Sequence, residues 1–183
     1  MITLTIQVRL WLLIHNLNKG IDYIMKQGTI CVQGAYRPKN GEPRVLPIVQ
    51  STTYKYDSSV EMGDLFDLKK SGYFYSRLQN PTNDTVAAKI TMLEGGVAGM
   101  LTSSGQAANF YAVFNIAQAG DHIVSSSAIY GGTYNLFNVT MRKLGIDFTF
   151  VSPDATEEEI QAAFKPNTKA VFGETISNPS LDI

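Results

Sequence analysis

From Asn80 onward the chain switches repeatedly between helix-period segments and short apolar runs, and this alternation constrains the fold more than any other feature. In "NPTNDTVAAKITMLEGG", Val86, Ile90 and Leu93 fall on one helical face, with Thr82 or Asn83 as a cap and Gly95–Gly96 as a stop. "GMLTSS" reads as a short strand. Phe110, Phe114 and Ala117 then repeat the helical spacing until Gly120, and "DHIVSS" reads as another strand. "AIYGGTYNLFNVTMRKLG" is largely helical, and "IDFTFVS" alternates with Ile146, Phe148 and Phe150 on one face. Thr156 and Glu159 spell a capping box, with Glu157, Glu158 and Glu159 in the first turn, where the helix dipole favours them. "KAVFGE" has the composition of a buried strand. Strands alternating with helices imply βαβ units, so the expected class is α/β, a mainly parallel sheet with helices on both faces.

Residues 1–24 contain "VRLWLLIHNL", too short and too interrupted by Arg9 to span a bilayer, with no small-residue cleavage site after it. They are expected to be a non-native or disordered leader, with Met25 as the effective start. Residues 25–72 carry Pro38, Pro43, Pro47 and Gly41 with little periodicity and read as an extended, ordered arm. In "LPIVQSTTY" strand character is interrupted by Pro47. An arm of this length suggests a contact with another subunit. The 44% apolar content suits a globular core, and 17% charged residues is low enough to suggest that a partner covers part of the surface. A net charge of -1 without a basic block gives no footprint for nucleic acid or an anionic membrane. The single cysteine, Cys31, excludes a disulfide framework and fits a reducing, cytoplasmic setting.

Three segments are expected beyond the carboxyl ends of strands, where α/β sheets bind ligands: "TSSGQAA", "SSSAIYGGT" and "GETISNP". The first places Ser104, Gly105 and Gln106 at a helix start, where free amides and the dipole suit a phosphate. A plain turn with a serine cap is an equal alternative on this stretch alone. Tyr130, before Gly131-Gly132, can stack on a flat cofactor or simply pack. Asn178 can offer its amide to an oxygen or form an ordinary Asn-Pro turn. Tyr75 and Arg77, two apart on an extended segment, would point the same way and offer a hydroxyl and a guanidinium to one phosphate; the alternative is a surface aromatic–cation pair. Neither a Walker A loop, nor G-x-G-x-x-G, nor a G-x-S-x-G elbow is present, and no Cys/His/Asp cluster has metal-ligand spacing.

Taken together, "YSRLQNPTNDTVAAKITMLEGGVAGMLTSSGQAA", "GDHIVSSSAIYGGT" and "ETISNP" resemble, in order and spacing, the front part of the pyridoxal phosphate (PLP)-dependent enzymes of cysteine and methionine metabolism, the group around cystathionine gamma-synthase. "LFDLKKSGYFYSRLQNPT" is most similar to the O-acetylhomoserine sulfhydrylase branch. The resemblance covers nearly everything after the leader. It implies the first part of a fold type I PLP-binding large domain over 73–183. It also implies a reaction in which O-acetylhomoserine exchanges acetate for sulfide or methanethiol, giving homocysteine or methionine. By the same resemblance, Tyr75 and Arg77 reach the cofactor phosphate of a neighbouring subunit, and Ser104, Gly105 and Gln106 form the phosphate turn. Tyr130 stacks on the pyridine ring and assists proton transfer, which makes it the catalytic candidate, and Asn178 lies near the phenolic oxygen. The family forms dimers paired into tetramers.

The resemblance also implies elements that these residues do not supply. The family's cofactor-bonding lysine, the aspartate facing the pyridine nitrogen and the substrate-binding C-terminal domain all come later in its pattern. Lys169 matches a non-catalytic position, precedes its strand and would sit at the wrong end of the sheet. Asp182 has no strand before it to place it as the pyridine nitrogen's partner. The expectation is therefore an N-terminal piece that is inactive by itself. The alternatives are a lyase of the same family acting on cystathionine or methionine, and a non-catalytic, oligomerising fragment. "GETISNPSLDI", which follows a strand with no helix to cover it, fits either a fragment or a partner-covered edge.

Overall fold

The structure is a computed structural model that describes residues 25–181; the leader and Asp182 readings fall outside them. The chain divides between Leu101 and Thr102 into two compact units.

In the first unit, α1 (Gln27–Gln33), α2 (Ser59–Phe66) and α3 (Pro81–Glu94) are joined by long irregular segments. The arm is thus not extended throughout: it carries two short helices. Ser58 caps α2, its side chain accepting from the amides of Val60 and Glu61. The cap of α3 is Asn80, not Thr82 or Asn83, and its Oδ1 accepts from the Thr82 amide at 2.9 Å. Pro81 explains the shift, because a residue without an N–H fits the first helical position and leaves its predecessor to cap. Thr82 instead accepts the Val49 amide at 2.9 Å. Asn80 Nδ2 donates to the Val49 carbonyl at 3.1 Å and to Ser76 Oγ at 3.0 Å, tying the arm to the helix start. α3 ends at Gly95, whose φ of 63° is the left-handed conformation that glycine adopts without strain. Its most buried side chain is Ala87, while Val86 is 37% exposed. The apolar inside of this unit is small: Leu65, Phe74 and Ala87 are buried, and Phe66 lies against Phe74 at 4.4 Å between ring centroids.

The second unit contains α4 (Gly105–Ile116), β1 (His122–Ser126), α5 (Gly131–Asn135) continuing into a π-helical turn (Leu136–Met141), β2 (Asp147–Val151), α6 (Glu157–Ala162) and β3 (Thr168–Phe172). The three strands are parallel in the order β2-β1-β3. Each crossover carries helix, as the alternation requires. "GMLTSS" forms no strand: residues 99–104 have no ladder partner among the described residues, and Met100 is largely exposed. Ile123 on β1 faces Phe148 on β2, and Ser125 faces Phe172 on β3. That face packs on Phe137, Met141, Ile129, Val113 and Ala117. Phe137 stacks on Phe148 at 4.7 Å and meets Phe172 edge-on at 4.8 Å, the offset and T-shaped geometries aromatic quadrupoles favour.

The buried stripe of α4 runs through Asn109 and Val113 to Ala117, so it lies one residue away from the expected Phe110–Phe114 row, and Phe114 is exposed. β3 is not a buried strand, because only Phe172 is enclosed and Val171 is 60% exposed. The capping box of α6 is present in both directions, Thr156 Oγ1 accepting the Glu159 amide and Glu159 Oε2 the Thr156 amide. Among the described residues no helix is long and apolar enough to cross a membrane.

Candidate functional site

The start of α4 is built as a set of unused donors. Ser104 has extended backbone, and its Oγ accepts the Ala107 amide at 3.1 Å while its carbonyl accepts the Ala108 amide at 3.1 Å. The amides of Gly105 and Gln106, the first two of the helix, donate to no group among the described residues. An α-helix leaves these donors free by construction, and the aligned peptide dipoles add partial positive charge at the same place. The Gln106 side-chain Oε1 is buried at the same helix start without a hydrogen-bond partner among the described residues.

Tyr130 follows β1 at the carboxyl end of the sheet and is about half exposed, at 51%. Its ring lies over Gly132. A Cβ added at Gly132 would come within 2.5 Å of the Tyr130 ring and 2.4 Å of Nε2 of the Gln106 side chain. The missing side chain thus leaves room for the tyrosine ring and the Gln106 side chain to converge. Two further contacts hold this arrangement. The Tyr130 amide donates to Glu174 Oε1 at 3.0 Å, and the buried Asn109 side chain donates to Thr133 Oγ1 at 2.9 Å, joining α4 to α5. Neither Glu174 nor the Asn109–Thr133 pair was singled out in the sequence. Glu174 had a signal, a carboxylate just past β3 inside "GETISNP"; Asn109 looked like one more residue of a helix. Asn178 is exposed, precedes a cis proline bond, and its side chain bonds nothing among the described residues.

Tyr75 and Arg77 belong to the first unit. Tyr75 forms an isolated antiparallel bridge with Thr53, and the chain then turns, so the two do not project side by side from an extended strand. Arg77 instead folds over the Tyr75 ring, its guanidinium carbon 4.9 Å from the centroid. This is the aromatic–cation pair. It uses the face of the guanidinium and leaves the N–H groups in its plane without a partner among the described residues.

The opposite end of the sheet is a closed polar network. His122 is fully buried, with Nδ1 2.7 Å from Thr168 Oγ1 and Nε2 2.9 Å from Thr149 Oγ1. Burial, and then the positive charge of Lys165, holds its pKa below the ordinary imidazole value. Asp147 bonds Lys165 at 2.6 Å and Arg142 at 2.5 Å, and the Lys165 bond contributes most to depressing its pKa. Lys169 lies within β3 rather than before it, near its amino end, and pairs with Asp121 at 3.6 Å. It is therefore remote along the strand from Tyr130 and Glu174.

The donor set fits a phosphorylated, flat cofactor. Two free amides at a helix start suit a phosphate, and a half-exposed tyrosine near the Gln106 side chain, seated over a glycine, suits an aromatic ring. Comparison with known proteins agrees. The model of the Cys/Met metabolism PLP-dependent enzymes matches residues 28–183. The chain is 50% identical over 140 residues to O-acetyl-L-homoserine sulfhydrylase of Corynebacterium glutamicum, covering 76% of this chain and 32% of that one. It is 44% identical over 140 residues to homocysteine/cysteine synthase of Saccharomyces cerevisiae, covering 76% and 31%. It spans about a third of the length of these curated relatives. Among solved structures, it superposes on metY of Campylobacter jejuni, assigned as an O-acetylhomoserine (thiol)-lyase and holding a pyridoxyl-lysine phosphate. The TM-score is 0.79 at 35% identity, covering 87% of this chain and 39% of that one. It superposes on metB of Corynebacterium glutamicum with a TM-score of 0.77 at 34% identity, covering 87% and 40%. A parallel sheet with a phosphate-ready helix start, matched by this family along nearly all the described residues, means that the chain belongs to the Cys/Met metabolism PLP-dependent enzymes.

Proposed function

We propose that the chain is the amino-terminal, phosphate-holding part of an O-acetylhomoserine sulfhydrylase. The observation that carries this reading is the pair of free amides at Gly105 and Gln106, on a helix start whose Gln106 side chain reaches the Gly132 space under the Tyr130 ring. When bound, PLP supplies an electron sink that makes protons near the amino group of an amino acid labile. The chain's own residues do the rest of what is proposed here. The Gly105 and Gln106 amides bind the phosphate, and the Ser104 hydroxyl, although its oxygen already accepts from Ala107, keeps a proton to donate. Tyr130 stacks on the flat ring and holds or moves a proton at its hydroxyl. Asn178 donates its amide to a ring oxygen. Tyr75 and Arg77 add a hydroxyl and a planar guanidinium to the phosphate of a second subunit in a dimer or tetramer. The substrate would be O-acetylhomoserine with sulfide or methanethiol, in the cytoplasm, where a single cysteine is at ease.

The 183-residue polypeptide by itself binds the cofactor's tail without turnover, because the lysines of the sheet's own unit, Lys143, Lys165 and Lys169, lie toward the amino ends of β2 and β3, away from Tyr130. Equilibrium dialysis with pyridoxine 5'-phosphate, which has no aldehyde and so needs no lysine, tests the binding. Saturable uptake that inorganic phosphate displaces is expected, and no uptake would refute the reading. Incubation with O-acetylhomoserine, sulfide and PLP tests the rest: robust acetate release by these 183 residues would refute the view that they lack the bonding lysine.

A further inference from the structure

Glu174 has no part in the reading above, yet it is the side chain that ties the end of β3 to the Tyr130 loop across 44 residues of chain. Tyr130 stands immediately before α5, and its own side chain makes no capping bond to that helix. The ring therefore takes its position from two other features. One is the Glu174 carboxylate, whose Oε1 accepts the Tyr130 amide at 3.0 Å. The other is the space at Gly132, where any Cβ would meet the ring at 2.5 Å and Nε2 of the Gln106 side chain at 2.4 Å. Both distances are shorter than real carbon contacts, so a side chain there would have to displace the edge of the Tyr130 ring and the Gln106 carboxamide.

We infer that Glu174 and Gly132 are positioning residues that seat the Tyr130 ring beside the Gln106 side chain, the carboxylate by latching the backbone and the glycine by leaving room. The inference rests on the cofactor reading for its purpose but not for its geometry. A carboxylate bond to an amide is a charge-assisted bond, stronger than a neutral one, and it holds a loop residue at a fixed height above the sheet. Glutamine can still accept the amide through its Oε1, whereas alanine cannot.

The test uses the 183-residue chain and two kinds of readout. Without ligand, Glu174→Ala is expected to speed hydrogen exchange of the Tyr130 amide about tenfold, and to weaken the NOE between the Tyr130 ring and the Gly132 α-protons. Glu174→Gln restores most of both. With ligand, Glu174→Ala and Gly132→Ala are each expected to weaken pyridoxine 5'-phosphate about five- to tenfold while leaving inorganic phosphate within about twofold. In a Tyr130→Ala background, Glu174→Ala adds nothing further, because it acts through the tyrosine. Unchanged exchange and NOEs in Glu174→Ala overturn the seat. So do equal losses for both ligands, or an additive loss on top of Tyr130→Ala. If the unsubstituted chain binds neither ligand, the cofactor reading fails, and the ligand-free exchange and NOEs still decide the seat.

Discussion

The two compact units are held by different chemistry. Residues 102–181 have an aromatic core: Phe137 lies between Phe148 and Phe172, and Ile123, Met141 and Ile146 are enclosed around them. Residues 25–101 enclose far less, and their irregular arm is fastened by polar side chains, above all Asn80 reaching Val49 and Ser76. The candidate site residues divide along the same line. Ser104, Gly105, Gln106 and Tyr130 sit on elements braced by the core, whereas Tyr75 and Arg77 ride on a turn and contact each other. A packed sheet fixes where a helix begins; a hydrogen-bonded arm fixes its residues only as well as its few polar contacts allow.

Substitutions can break or sharpen this contrast. The largest effect is expected from Phe137→Ala, which empties the middle of the aromatic stack and should cost about 3–5 kcal/mol in denaturant unfolding. Asn80→Ala removes the cap of α3 and the arm's anchor together, and about 1–3 kcal/mol is expected, with faster proteolysis confined to the arm. A cost for Asn80→Ala equal to that of Phe137→Ala would dissolve the distinction between the units. Ser104→Ala, a lost cap on α4, should cost about 1 kcal/mol and weaken phosphate binding without disturbing the sheet. The smallest effect is expected from Arg77→Ala, about 0.5–1 kcal/mol, because the stack on Tyr75 is open to water.

His122 gives the core its own acid signature. Its folded pKa lies below the ordinary imidazole value, so the unfolded chain takes up the proton first as pH falls. Stability should therefore be full above that value and decline below it, by up to about 1.4 kcal/mol per pH unit, until the folded-state pKa is passed. Asp147 acts in a lower window: its folded pKa is depressed below the ordinary carboxyl value, so its contribution is present above that value and lost as pH falls through the folded pKa. Urea titrations from neutral to acid pH, with and without His122→Asn, separate the two. If the upper decline persists in His122→Asn, His122 is not its source.

The α/β class was legible because helical spacing and short apolar runs are local patterns, and burial on a sheet enforces them. The Thr156–Glu159 capping box was legible for the same reason, since both partners lie within one turn. The candidate anion turn was legible as a possibility, Ser104-Gly105-Gln106 before a helix, but its free amides depend on how the loop before the helix folds. Other features escaped local reading. Pro81 moved a cap back to Asn80 through the backbone, and the α4 stripe shifted by one residue because Asn109 found Thr133 across the unit. "GMLTSS" has strand composition, but a strand exists only with a ladder partner.

The sequence by itself determined the alternation of strands and helices from His122 to Phe172, the family pattern and the residue types at the strand ends. The tertiary structure decided which of them meet. It placed Tyr130 over Gly132 and against Gln106, brought Glu174 to the Tyr130 amide, and turned Tyr75 and Arg77 toward each other. The physical reason is separation along the chain. A contact between residues a turn apart is written in spacing, whereas a carboxylate that meets an amide 44 residues away depends on how three parallel strands align their ends.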